Sequence, residues 1–221
     1  MKDVIIIGAG GHAAEIDEYI KYTRRVNPMI EFKVNGFLDD VPANYSIYKF
    51  SAPLIGNVSD HQVLKEYFYI IGIANLKYRR IIIDKYKLMG AEFITFIHPS
   101  TYISESAVIG EGNIIGPNVN IGPNVRIGNY NLINSRCSLG HDTIISDYNF
   151  ISPNVCFSGF THIGDENLLG INCCTLPNIT VGNRNKIAAG MVLDQNVSDN
   201  SVVFYRFKEK VIAIPGLKNS R

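Results

Sequence analysis

From Ile103 to Leu193 every sixth residue is aliphatic and the register never slips: Ile103, Ile109, Ile115, Ile121, Ile127, Ile133, Leu139, Ile145, Ile151, Ile163, Leu169, Val181, Ile187 and Leu193. Phe157 and Thr175 alone break the rule. Glycine follows the aliphatic residue at 110, 116, 122, 128, 140, 164, 170 and 182, and a small or narrow residue falls four positions after it (Ala107, Val119, Val125, Cys137, Thr143, Val155, Thr161, Cys173). A period of six is neither the 3.6 of a helix nor the alternation of a two-sided strand, so the chain must turn a corner once per repeat. Three corners close a triangle, with the aliphatic residue on the axis of a prism and the small residue beside it. Gly or Asn (Asn118, Asn124, Asn129, Asn183) then takes turns where positive φ is cheap. Each coil uses about 18 residues and stacks on the last at roughly 4.8 Å, which makes the prism on the order of 25 Å tall.

The chain has 221 residues, 46% of them hydrophobic, enough for a substantial core and one or two domains. Its net charge of +1 predicts no nucleic-acid or acidic-membrane partner. No apolar run approaches the roughly 20 residues of a membrane span, and the N-terminus reads directly into a strand rather than a signal peptide, which predicts a cytoplasmic protein. The four cysteines, Cys137, Cys156, Cys173 and Cys174, fall inside the repeat without zinc-ligand spacing and read as inert packing thiols; no metal site is expected.

Ahead of the repeat, residues 3–7 form an apolar strand, followed by Gly8-Ala9-Gly10-Gly11-His12-Ala13 and a helical pattern through Tyr22. A strand, a glycine turn and a helix N-terminus can cradle phosphate with backbone N–H groups; the competing reading is that Gly8 and Gly10 merely permit a tight turn. A second strand ends in Gly36-Phe37-Leu38-Asp39-Asp40, placing carboxylates at the carboxyl edge of a sheet. A third strand, 67–74, runs through Asn75 into a helix bearing Arg79 and Arg80, which fit a ligand contact or a solvated helix face. A fourth, 93–97, leads through His98-Pro99 into the prism. This is about half of a dinucleotide fold and suits a mononucleotide better than NAD. After Asp199 the period is lost; Val202 to Tyr205 suggest a strand capping the prism, and Lys208, Glu209 and Lys210 read as exposed.

Within the repeat the unusual hexad is Leu139-Gly140-His141-Asp142-Thr143-Ile144. His141 and Asp142 take corner positions, where side chains point outward. A histidine there can accept a proton at neutral pH, and an adjacent carboxylate fixes its tautomer; the alternative is a histidine simply exposed at a turn. His98 before proline reads as structural, His61 as helix surface, His162 as a side position able to line a groove, and His12 as a residue that could bond a sugar or merely pack.

The order of these features, from the Gly-rich turn through Phe-Leu-Asp-Asp, Ile-Ala-Asn, His-Pro-Ser and the prism to His-Asp, resembles the bacterial sugar O- and N-acyltransferases of the NeuD/PglD type over residues 3 to about 198. The resemblance implies a small N-terminal half-Rossmann parallel sheet with helices (residues 1–98, binding a nucleotide sugar). It implies next a left-handed parallel β-helix of hexapeptide repeats (residues 99–221, with a C-terminal capping tail). It further implies His141 as general base oriented by Asp142, and acetyl-CoA as co-substrate in a groove between two prisms of a homotrimer. By the same resemblance the Gly159 backbone would lie near the thioester as an oxyanion donor, Ile171 and Ala189 would contact the pantetheine arm of acetyl-CoA, and Gly10, His12, Asp39, Asp40 and Asn75 would meet the nucleotide sugar. By position alone His162 would line the acetyl-CoA groove and Gly8, Gly11 and Arg79 would join the nucleotide-sugar site. Two departures stand out: some relatives have a second histidine where this chain has Phe150, and the Gly-x-Pro-Ala-Lys ending of many hexapeptide enzymes is replaced by Val-Phe-Tyr-Arg-Phe-Lys.

The leading expectation is acetyl transfer from acetyl-CoA to the amino group of a nucleotide-linked deoxysugar in surface-polysaccharide or glycan synthesis, without metal or covalent intermediate. The alternatives are O-acetylation of a sugar such as sialic acid and a non-catalytic nucleotide-sugar-binding protein. An NAD oxidoreductase would need the missing half of the dinucleotide fold.

Overall fold

The computed structural model describes residues 2–27 and 32–205. The apolar run becomes β1 (Lys2–Ile7), buried on both faces as the central strand of a parallel sheet requires. α1 (Gly11–Val26) follows the glycine turn, burying Ala13, Ile16 and Ile20 at helical spacing, with Arg24 and Arg25 complementing its C-terminal dipole. Then come β2 (Phe32–Leu38), a short α2 (Pro42–Tyr45), β3 (Leu54–Gly56), β4 (Phe68–Ile71), α3 (Leu76–Leu88) and β5 (Glu92–Phe93). The sheet order is β3-β2-β1-β4-β5, every pair parallel.

The expected strand over 93–97 divides. Glu92–Phe93 closes this sheet on β4, whereas Phe96–Ile97 pairs with Ile114–Ile115 and is already a rung of the prism. The repeat therefore begins ahead of His98-Pro99. Beyond it the chain winds through two-residue strands on three faces in turn. The first face runs from Phe96–Ile97 through Leu132–Ile133 and Phe150–Ile151 to Val202–Val203, the second from Tyr102–Ile103 to Val192–Leu193, and the third from Val108–Ile109 to Thr180–Val181. Partners lie eighteen residues apart through most of the stack, as in Asn120↔Ser138 and Ile144↔His162. This is a left-handed parallel β-helix. Val202–Val203 forms the last rung on the first face among the described residues, pairing with Lys186–Ile187, while Phe204 and Tyr205 stand exposed. Lys208, Glu209 and Lys210 lie outside the described residues.

The axis is the aliphatic column read from the sequence, with Ile115, Ile121, Ile133, Leu139, Ile151 and Leu169 fully buried; each contributes roughly 1.5–3 kcal/mol of burial. The two exceptions also face inward. Phe157 fills the axis, and the Thr175 hydroxyl is satisfied there, 2.8 Å from Thr161 Oγ1 and accepting the Ser158 N–H at 3.1 Å. Cys137 and Cys173 occupy buried small-residue slots, and burial pushes the Cys137 thiol up to about 12.

The corners differ from expectation at two asparagines. Asn118 and Asn124 are left-handed (φ 57° and 59°), but at the other two corners the left-handed residue is the next one, Tyr130 (58°) and Arg184 (56°). Asn129 and Asn183 instead accept main-chain N–H groups from the coil above, those of Glu111 and Asp165, at 2.9 and 2.8 Å.

The N-terminal sheet docks on the first prism face. Ile114 and Leu132 point outward from that face into the core of Ile6, Ile16 and Phe96, and Phe150 packs against the same cluster, so the position where some relatives carry histidine is apolar packing here. Arg79 clamps the junction. It is fully buried and donates to Ile71 O (3.1 Å), Ile73 O (3.2 Å) and Tyr130 O (3.4 Å). Burial pushes its guanidinium down to about 9, which leaves it charged at neutral pH. It is neither a solvated helix face nor exposed to a ligand, correcting both readings of the sequence. His61 is also corrected: it lies in the segment between β3 and β4, not on a helix, with Nε2 3.0 Å from Tyr69 Oη and its ring stacked on Tyr86. His98 is buried and stacked on Tyr22, as a structural residue should be.

Candidate active site

His141 and Asp142 form the corner between the second and third faces, just after Ser138–Leu139 and before Ile144–Ile145. Asp142 adopts φ 58°, which aims its side chain outward beside the imidazole. His141 Nδ1 lies 2.8 Å from Asp142 Oδ2, with the two side chains 57% and 33% exposed. The hydrogen bond from His141, and then one from Asn124, hold the Asp142 carboxyl below the usual carboxylate range. A carboxylate can only accept, so the neutral imidazole carries its proton on Nδ1 and presents the Nε2 lone pair outward.

Gly159 lies one coil along, directly under the ring. A Cβ on Gly159 would sit 2.6 Å from both His141 Cε1 and Nε2, closer than carbon can approach, so a glycine is required for the ring to rest there. The Gly159 carbonyl accepts from Asn178, while its N–H takes no part in the coil-to-coil ladder among the described residues. Phe160 closes the other side, its ring perpendicular to the imidazole at a centroid distance of 5.1 Å. A proton acceptor, an oriented acid and a free main-chain donor thus share one exposed corner. Such a group can deprotonate an attacking amine or hydroxyl while an N–H receives a developing oxyanion.

The other expected acyl-donor residues are not at this corner. His162 is exposed on the third face, in register with Ile144 and Thr180. Ile171 and Ala189 belong to the corner between the first and second faces, a full face away.

At the carboxyl edge of the N-terminal sheet, Gly8 has φ 104° and no room for a side chain, a Cβ falling 2.9 Å from Ile73 Cγ1. Its neighbour Ala9 donates to Asp39 Oδ2 at 2.7 Å, and Asp39 Oδ1 accepts from Val41 N (2.8 Å) and Asn44 Nδ2 (3.1 Å). Asp39 is therefore an internal anchor of the turn. Asp40 is exposed and accepts the Ser59 N–H, and Asn75 caps α3 by accepting the Lys77 N–H. Gly10 is the N-cap of α1, which among the described residues has neither a side-chain cap nor an acidic residue in its first turn, and a Cβ on Gly10 would meet open space. His12 is nearly buried, its Nδ1 3.3 Å from Glu15 and its Nε2 without a partner among the described residues; burial lowers its pKa. Beside Asn75 a cleft of about 600 Å³ opens between the domains, lined by Lys77 and Arg80 on one side and Glu166, Arg184 and Lys186 on the other. Arg80 pairs with Glu166 across it and lies over the Tyr148 ring.

Gly8, Gly10, Gly11, His12, Asp39, Asp40 and Asn75 thus gather at one sheet edge, and His141, Asp142 and Gly159 at one prism corner. The two groups are apart. The N-terminal domain covers the first face, and in a triangular prism the corner between the second and third faces is the vertex opposite it. The hexad pattern marks Asn124 only as a turn residue and does not single out Phe160, although both fall eighteen residues from Asp142, the length of one coil. Among the described residues no group of three or more His, Cys, Asp or Glu could hold a metal, and no helix is long and apolar enough to cross a membrane.

Fold and site together define a parallel α/β domain docked on a hexapeptide prism with a histidine–aspartate corner. Residues 3–86 match the family described as the PglD N-terminal domain. The full architecture is shared with the acetyltransferase domain of PglB from Neisseria gonorrhoeae FA1090 in complex with acetyl coenzyme A (TM-score 0.80, 24% identity, 91% of this chain and 95% of that one). It is shared also with a histidine-to-asparagine variant of perosamine N-acetyltransferase from Caulobacter crescentus in complex with CoA and GDP-perosamine (0.79, 23%, 91% and 93%). WeeI from Acinetobacter baumannii AYE is similar to the same extent (0.77, 21%, 92% and 97%). The likeness of fold to these structures thus extends through both halves of the chain. No curated protein matches it.

Proposed function

We propose that the protein transfers the acetyl group of acetyl-CoA to the amino group of a nucleotide-linked amino deoxysugar. The observation that carries this reading is the free Nε2 of His141, tautomer-locked by Asp142 and resting on Gly159 at an exposed corner. In the reaction the sugar amine attacks the thioester carbonyl carbon and the Gly159 N–H receives the oxyanion. Nε2 removes the ammonium proton, and the C–S bond breaks as CoA leaves with its sulfur reprotonated. Structures of similar fold hold acetyl coenzyme A, or CoA with GDP-perosamine, which supports both substrates. Gly10, Gly11 and His12, at the uncapped start of α1, would meet the diphosphate.

The base and the acceptor edge lie on opposite sides of one prism, so a neighbouring chain is needed to bring them together, which supports a homotrimer with sites between subunits. The same arrangement would let Ile171 and Ala189 of one prism face His141 of the next across bound acetyl-CoA.

Incubating the protein with acetyl-CoA and dTDP-, UDP- or GDP-linked 4-amino sugars should release free thiol only when an acceptor is present. His141→Asn should lower kcat by roughly 10²- to 10⁴-fold with both KM values nearly unchanged. Thiol release indifferent to every acceptor, or a His141→Asn variant with a third of wild-type kcat/KM, would defeat the proposal. Sedimentation of a stable, fully active monomer would defeat the intersubunit site.

A further inference from the structure

We infer that Asn124 is a positioning residue for the His141–Asp142 pair, acting through its side-chain amide rather than through its turn. This rests on His141 being the base. Asn124 sits one coil before Asp142 at the same corner, and its Nδ2 donates to Asp142 Oδ1 at 3.1 Å. Asp142 Oδ2 is the oxygen that faces His141 Nδ1 at 2.8 Å. The carboxylate is thereby held at both ends: one oxygen by the amide, the other by the imidazole. Asn124 is itself pinned, because its N–H donates to Ser106 Oγ at 2.9 Å.

The need for this brace follows from exposure. Asp142 and His141 are both accessible to water, where a carboxylate is free to rotate and exchange its partner. A carboxylate that swings away no longer selects the Nδ1–H tautomer, and every imidazole that carries its proton on Nε2 instead is unable to act as base. By occupying Oδ1, Asn124 fixes the carboxylate plane so that Oδ2 stays on Nδ1. Phe160, edge-on to the ring, limits the swing of the imidazole on the other side.

The competing explanation is that asparagine stands at 124 only because the corner needs φ 59°. Glycine meets that need at least as well. Asn124→Gly therefore removes the amide and keeps the turn, and Asn118→Gly is the matched control. Asn118 has φ 57° and donates its N–H to a serine hydroxyl at the same 2.9 Å (Ser100 Oγ), but its side chain does not reach Asp142.

The test reads the tautomer directly, by ¹⁵N chemical shifts of histidine-labelled protein at pH 8, with the His141 signals identified by their loss in His141→Asn. In wild type and Asn118→Gly the Nδ1–H form should dominate. In Asn124→Gly a substantial Nε2–H population should appear, kcat should fall about three- to tenfold, the fold-change of one net hydrogen bond, and KM for both substrates should hold. A wild-type tautomer ratio in Asn124→Gly overturns the inference whatever the activity. A shifted ratio in a protein whose His141→Asn variant still transfers acetyl leaves Asn124 as the brace and removes only the base assignment.

Discussion

Replacing Gly159 by alanine should disable the proposed base without disturbing the fold. The added Cβ would lie 2.6 Å from His141 Cε1 and Nε2, against an ordinary carbon contact of roughly 3.5 Å. The ring must therefore withdraw by about 1 Å. Its side chain is 57% exposed, so it can move into solvent at little cost to stability, and Gly159 is not in the left-handed region, so alanine adds no backbone strain. A displacement of about 1 Å at a reacting group can cost 10²-fold in rate, about 2.7 kcal/mol of barrier. The same methyl group also crowds the main-chain N–H assigned to the oxyanion. The expected outcome is a kcat lower by roughly 10- to 100-fold with a Tm within about 2 °C of wild type, measured by thiol release and by thermal unfolding. A Gly159→Ala enzyme within threefold of wild-type kcat would refute the placement of the imidazole over Gly159 as the working geometry.

Ile151→Asp, on the fully buried axis, should lower stability by several kcal/mol, because it leaves an unpaired carboxylate among aliphatic side chains; an unchanged Tm would refute the hexad register. Arg79→Lys should also destabilise, since a point charge cannot span carbonyls on both domains, and each one left bare costs about 1–3 kcal/mol. Urea unfolding of the variant checks it, and a wild-type midpoint would show the clamp to be dispensable. Burial lowers the pKa values of His12, His61 and His98, so below about pH 6.5 the unfolded chain takes up protons the folded one resists, and stability present above that pH is lost as pH falls. Tm measured from pH 7.5 to 5 should fall, and His98→Gln should flatten the slope; equal slopes would remove His98 from this account.

The prism was legible because a single column of residues has nowhere else to go. A period of six with no slip between Ile103 and Leu193 admits one kind of coil, and Phe157 and Thr175 could deviate only because one fills the axis and the other finds Thr161. The start of the prism was not legible, because the apolar run from Phe93 to Ile97 continues straight across the junction while its pairing changes from β4 to Ile114–Ile115. Arg79 was misread for a different reason. Charge alone says nothing about which way a helix faces, but Ile83 and Tyr86, four and seven residues on, share its buried side, and that spacing already placed Arg79 inward. His141 and Asp142 were visible as an odd hexad, whereas the link of Asn124, otherwise a plain turn residue, and of Phe160 to that pair becomes visible only when the sequence is read at the full coil length, since contacts along a corner join residues eighteen apart.

The two candidate regions differ in what the fold has already used. At the sheet edge Asp39 is bound to the glycine turn, Asn75 to the start of α3 and Arg79 to the domain junction, so the polar side chains that looked most like ligands in the sequence are largely engaged in holding the backbone. What remains is main chain: the open N-terminus of α1 at Gly10 and Gly11, with His12 beside it. Main-chain N–H groups at a helix start discriminate charge and shape rather than base identity, which suits recognition of a diphosphate common to many nucleotide sugars. The prism corner is the reverse. There the side chains remain available, with Nε2 of His141 free because Asp142 and Asn124 take up the other end of the network. On this division substitutions at the α1 turn should act mainly on acceptor affinity, and those at 124, 141, 142 and 159 mainly on turnover, so KM and kcat would separate by domain.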